Sequence, residues 1–121
     1  MPIEKDKWYT RPVFSVASVQ KSLSYYRDLL GFTQSWKYDE AGEVLVAQVS
    51  RGDFELILAS NLDRKGQGRV FISLTESETS RFKEMIESMH ITYEEIYWGY
   101  PSIKLQDPDG NELIFPQETE D

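Results

Sequence analysis

The stretch Arg51-Gly52-Asp53-Phe54-Glu55-Leu56-Ile57-Leu58 returns in outline at Gly110-Asn111-Glu112-Leu113-Ile114-Phe115: a turn glycine, then Glu-Leu-Ile and a large apolar residue. Glu55 and Glu112 stand 57 positions apart. Working back from each, Val13-Phe14 matches Val70-Phe71, and the helical stretch around Leu23 matches the one around Phe82, so the offset stays between 57 and 59. The order of element types repeats with the letters, and a two-fold internal repeat restricts the fold more than any single motif does. A chain of 121 residues holds one sizeable core, not two independent ones. Each copy reads β-α-β-β-β, and one helix covers only one face of such a sheet. The two copies must therefore pair, leaving each sheet's other face free for a cavity.

In the first copy, residues 11–16 alternate as a strand, with Phe14 and Val16 on one side. Ser18 is a good N-cap, and Val19, Leu23, Tyr26 and Leu30 follow at helical spacing, so a helix is expected over 19–30 with Gly31 as its stop. An aromatic strand over 32–38, a turn at 39–42, and strands over 44–50 and 54–60 complete the copy. Residues 61–68, polar and carrying two glycines, read as the linker. The second copy opens with a strand over 69–74. Thr75 and Glu78 can form a capping box, with Ser77 as a competing cap. Phe82, Met85, Ile86 and Met89 mark a core stripe. A strand over 91–98 breaks near Gly99-Tyr100-Pro101, and a hairpin turning at Asp107-Pro108-Asp109-Gly110 follows; Asp107, Pro108 and Gly110 suit a type I turn. One domain over 11–116 is expected, with a leader over 1–10 and an acidic tail over 117–121. Trp8 and Tyr9 in the leader are large enough to cover an apolar surface of the domain or of a partner subunit.

Composition removes several function classes. A net charge of −8 disfavours nucleic acid, whose phosphates need a basic face. No apolar run approaches the ~18 residues of a membrane span, and no export signal is legible, so neither membrane nor export is expected. With no cysteine there is no disulfide, thiolate metal site or thiol nucleophile, which fits a cytoplasmic protein. His90, the only histidine, follows helix two and reads as a surface or helix-end residue.

Val16-Ala17-Ser18-Val19, Tyr25-Tyr26-Arg27-Asp28-Leu29-Leu30-Gly31-Phe32 and Asp107-Pro108-Asp109-Gly110-Asn111 resemble the vicinal-oxygen-chelate superfamily, which includes glyoxalase I, extradiol dioxygenases, and fosfomycin- and bleomycin-resistance proteins. The resemblance implies an α+β fold of two tandem βαβββ modules whose paired, curved mixed sheets enclose a cleft, usually assembled as a dimer. The superfamily's enzymes hold a divalent metal with His, Gln or Glu at the start of each module's first strand and on its last strand. Those slots fall here on Arg11, Ile57, Arg69 and Ile114, and neither guanidinium nor isoleucine can ligate a cation. A two-residue slip would instead bring Glu55 and Glu112 into place. No metal and no cofactor are expected.

The nearest branch resembles the metal-free bleomycin-resistance proteins, which sequester a bulky cationic antibiotic between subunits. The resemblance implies a small-molecule-binding homodimer without catalytic residues. Its ligand contacts would come from Phe32, Trp36, Tyr38, Phe54, Trp98 and Tyr100, with Glu55 and Glu112 as acids. Aromatic faces and a few carboxylates suit a planar or cationic ligand. The alternatives are a metal-dependent enzyme of the same superfamily with a displaced site at Glu55 and Glu112, and a scaffold whose groove binds a protein segment.

Overall fold

The computed structural model describes residues 8–97 and 99–117. Strand β1 (Val13–Val16) leads into helix α1 (Val19–Leu23), and then come β2 (Thr33–Glu40), β3 (Glu43–Arg51) and β4 (Phe54–Ser60). The second module repeats the order with β5 (Arg69–Phe71), α2 (Glu76–Ser88), β6 (Glu94–Tyr97), β7 (Pro101–Gln106) and β8 (Glu112–Pro116). The sheets run β1-β4-β3-β2 and β5-β8-β7-β6, each with one parallel pair, β1 with β4 and β5 with β8. The repeat read from the sequence is thus a repeat of topology, and the fold is α+β with two tandem βαβββ modules.

Local chemistry explains the elements. The Ser18 hydroxyl accepts from the Lys21 N–H at the start of α1. At α2, Thr75 rather than Ser77 is the cap: its backbone is extended and its side chain accepts from the Glu78 N–H. His90 adopts a φ of +58° just beyond α2, the left-handed position that ends many helices, and it is exposed. Three elements differ most from the expected bounds. The first strand of module two stops at Phe71, and β6 occupies only Glu94–Tyr97. The expected helix over 19–30 is α-helical only to Leu23, and Ser24–Leu29 winds as a π-helix, with the Leu30 N–H donating to the Tyr25 carbonyl five residues back.

That widened turn carries a long-range contact. Tyr26 is fully buried, and its hydroxyl donates to Asp107 Oδ2 across 2.9 Å. Asp107 is the centre of a clasp between modules. Its Oδ1 accepts from the Asp109 and Asn111 N–H groups, both at 2.9 Å, and its Oδ2 also accepts from Asn111 Nδ2 at 3.0 Å. Asn111 Nδ2 reaches the Ser15 carbonyl, while its Oδ1 accepts from the Gly68 N–H. Asp109 Oδ1 accepts from the Ala17 N–H. The linker must pass close to this clasp, and Gly68 lies where any Cβ would strike the Phe14 ring. The Asp-Pro-Asp-Gly-Asn segment is therefore more than a hairpin turn: it ties β8 and the linker to β1 and the Tyr26 helix. Burial and Asp107's negative charge raise the Tyr26 hydroxyl far above its ordinary pKa, and the same two causes raise Tyr25.

One core joins the modules. Phe14, Val16, Leu56 and Leu58 from sheet one cluster with Phe82, Ile86, Ile103, Leu113 and Phe115 from module two. All are buried on the helix-covered side of the sheets. The other side of each sheet remains open.

Candidate functional site

Strand parity assigns the open face of sheet one. Paired across the strands are Val13, Ile57, Gln48 and Trp36, with Ala59, Val46 and Tyr38 in the neighbouring row. Val13, Trp36 and Tyr38 are 55%, 42% and 53% exposed, so the chain's own second module does not cover them. Beneath Trp36 lies Gln48, a polar side chain only 4% exposed in mid-strand. Its Oε1 accepts from Trp36 Nε1 at 3.2 Å and from Arg11 Nη1 at 3.0 Å, while its Nε2 donates to Glu55 Oε2 at 3.3 Å. One buried amide thus fixes an indole, a cation and an anion together. Sequence reasoning missed Gln48. The signal was present as the one amide in the otherwise apolar run Val44 to Val49.

Sheet two's open face is a ladder of charge. Arg69 Nε lies 2.7 Å from Glu112, and Lys104 bridges Glu112 at 3.2 Å and Glu94 at 3.4 Å. Hydrogen bonding from Arg69 is the main reason the Glu112 carboxyl lies below its ordinary pKa; burial opposes it, and the bond from Lys104 adds to the lowering. The Lys104 ammonium is raised, chiefly by its bond to Glu112. Phe71 and Tyr100, 44% and 43% exposed, line a shallow cavity of about 360 Å³ with Pro116.

Arg69 is paired with Glu112 and Phe71 with Ile114, the arrangement that the two-residue slip describes. The consequence for metal binding is direct. In module two a guanidinium occupies the space in front of Glu112 that a cation would need, and in module one Arg11 and Glu55 are both tied to Gln48. Among the described residues, no three His, Asp or Glu side chains gather to hold a metal. The donor set does not fit the divalent ion of the superfamily's enzymes.

The eight expected ligand contacts separate into groups. Trp36, Tyr38 and Glu55 share the open face of sheet one. Phe32 and Phe54 lie on the helix side instead, their rings 5.9 Å apart and edge-to-face, with Phe32 also against Tyr26. Tyr100 and Glu112 belong to module two, where Glu112 is held in the charge ladder. Trp98 lies outside the described residues. Trp8 and Tyr9 are 89% and 69% exposed, and the Arg11 guanidinium lies 5.7 Å from the centre of the Tyr9 ring.

The family model for the Glyoxalase/Bleomycin resistance protein/Dioxygenase superfamily matches residues 9–115. The chain belongs to this superfamily. A search of the curated proteins found no match. Among solved structures, this superfamily member is similar to an integron cassette protein from the mobile metagenome of Halifax Harbour Sewage Outfall, with 18% identity, TM-score 0.73, and 93% and 100% of the two chains covered. It is similar to the bleomycin-binding protein of Streptomyces verticillus, solved with copper(II)-bleomycin, at 18% identity and TM-score 0.69 over 96% and 100% of the chains. It is also similar to lactoylglutathione lyase from Agrobacterium tumefaciens, at 18% identity and TM-score 0.68 over 93% and 96%. At such identities the likenesses establish the fold alone. A binder and an enzyme share it, so the function of this superfamily member must be argued from its own site.

Proposed function

We propose that this protein is a non-catalytic binder of a small planar aromatic and cationic molecule, a sequestering protein of the bleomycin-resistance type that acts as a homodimer. The observation that carries this reading is the open face of sheet one. Two exposed aromatic side chains, Trp36 and Tyr38, share this face with Glu55, and a buried amide bonded to both Trp36 and Glu55 fixes the indole in place. An indole face held in advance loses little freedom when a planar ligand stacks on it, and a neighbouring carboxylate favours a positive charge. Arg69 in front of Glu112, and the tying of Arg11 and Glu55 to Gln48, argue for binding without metal chemistry. Dimer formation is supported by Val13, Trp36, Tyr38, Phe71 and the leader aromatics, all exposed in a single chain. An open sheet face from each chain would close one cleft, and a two-fold axis would make two.

Titration of the intact protein with ethidium, a planar aromatic cation, tests the reading through tryptophan quenching, with the mass followed by light scattering. Saturable quenching, an unchanged ethidium spectrum after release, and a dimeric mass at tens of micromolar are expected. A monomeric mass with binding intact would refute the shared cleft. Stoichiometric nickel, zinc, manganese or iron in protein purified without chelator would refute the metal-free reading.

A further inference from the structure

A cavity of about 480 Å³ opens between the modules on the helix side of the sheets, away from Trp36 and Gln48. Phe32, Phe54 and Arg51 form its wall in module one; Leu74, Phe82 and Phe115 face them from module two. Strand parity separates it from the open face. Phe54 points opposite to Glu55 along β4, and Arg51 opposite to Ser50 along β3.

Arg51 is the one arginine or lysine in this lining, and it is already fixed in place. Its Nη1 donates to the Leu30 carbonyl at 2.7 Å and approaches Met85 Sδ at 3.9 Å, while the guanidinium carbon lies 5.5 Å from the centre of the Phe82 ring. No carboxylate forms an ion pair with it among the described residues. Asp53 and Glu78 also line the cavity, but both are exposed. A half-buried guanidinium without a counter-ion is electrostatically incomplete, and its planar fork matches a carboxylate. Apolar aromatic walls beside it match the rest of such a ligand, and the volume lies within the ~300–1,000 Å³ of small-molecule sites.

We propose that this inter-module cavity is a second ligand site, taking a small aromatic monocarboxylate with its ring among Phe32, Phe54, Phe82 and Phe115 and its carboxylate on Arg51. Asp53 and Glu78 at the rim select against a second negative charge. The site is independent of the open-face reading and stands or falls separately.

Calorimetric titration of the full chain with naphthalene-2-carboxylate, 2-naphthylmethanol and naphthalene-2,6-dicarboxylate tests this. One saturable site per chain is expected for the monocarboxylate, about tenfold or more tighter than for the alcohol, as a hydrogen-bonded charge pair requires. The dicarboxylate should bind more weakly than the monocarboxylate. Arg51→Met should abolish the preference over the alcohol and Arg51→Lys restore part of it, while Trp36→Ala leaves it unchanged. Should Arg51→Met fail to fold, Ser73→Trp at the exposed rim should block the cavity with Arg51's contacts intact. Equal affinity for acid and alcohol, unchanged binding in Ser73→Trp, loss of binding in Trp36→Ala, or no saturable heat at millimolar concentration would each overturn the proposal.

Discussion

Replacing Asp107 by Asn isolates the clasp between modules, because the change preserves shape and removes only charge and one acceptor. In the wild type, Oδ1 accepts two backbone N–H groups and Oδ2 accepts Tyr26 Oη and Asn111 Nδ2. The new amide keeps the Oδ1 pair. At the other position, the Tyr26 hydroxyl can reverse and accept from the new N–H, so that contact survives as a neutral bond. Asn111 Nδ2 cannot reverse, since turning its amide would set a donor against the Gly68 N–H. One buried donor is therefore left facing another, at about 1–3 kcal/mol, and the remaining bonds lose their charge assistance at up to about 1 kcal/mol each. Relief of burying a carboxylate that is only 4% exposed returns part of this. A net loss of about 2–4 kcal/mol is expected, against ~5–15 kcal/mol for a whole domain. For a chain of this size that corresponds to a fall of roughly 8–15 °C in melting temperature. Urea unfolding followed by tryptophan fluorescence measures it, and the Tyr26→Phe/Asp107→Asn double-mutant cycle should show coupling. A loss below about 0.5 kcal/mol with unchanged slope would refute the assignment of Asp107 as the clasp's centre.

Trp36→Ala should weaken ethidium binding by about 1–3 kcal/mol in a calorimetric titration while leaving the melting temperature within about 2 °C, since the ring is 42% exposed. Glu112→Gln tests the charge ladder through pH. The folded-state pKa of Glu112 is lowered, so its stabilisation is present above the unfolded value near 4.5 and lost as pH falls through the folded value. The gap in urea midpoint between wild type and variant should therefore shrink from pH 7 to pH 3. Tyr26→Phe tests the opposite limb. Tyr26 is raised, so its neutral form stabilises the fold fully below about pH 10, and above that stability falls by about 1.4 kcal/mol per pH unit for each such tyrosine. The variant should therefore show a shallower alkaline slope than the wild type but not a flat one, because Tyr25, Tyr93 and Lys104 are raised as well.

What the sequence revealed and what it hid divide along the range of the interactions. The repeat, the Thr75 cap and β4 at Phe54–Ser60 rest on contacts within a few residues, or on alternation within a strand, and all were legible. The π-helical winding was not, because the apolar spacing of Leu23, Tyr26 and Leu30 suits an ordinary helix. Tyr26 meets its partner Asp107 81 positions later. Asp107 itself looked sufficient as a turn residue, so nothing local demanded a second role. Register was the other loss: Glu-Leu-Ile aligns two copies with each other, yet does not say which residue faces Arg69 across a parallel pair. Phe32 and Phe54 illustrate the same limit. Aromatic content marked them for a ligand, and only the side of the sheet on which each ring falls separates them from Trp36.

The residues that give the chain its family likeness are thus not the residues that would decide its ligand. Asp107, Asp109 and Asn111 spend their polar atoms holding β8, the linker and β1 together, and Tyr26 belongs to the same network. In this chain that joint closes the shared core at the edge where the two copies meet, and it does so without touching either open face. The open faces carry no such obligation. In this chain one became aromatic over a buried glutamine, and the other a ladder of Arg69, Glu112, Lys104 and Glu94. Two halves that share one topology therefore present unlike surfaces. A ligand cleft formed between one face of each kind would have a stacking wall opposite a charged one, which favours a flat molecule with polar groups along one edge.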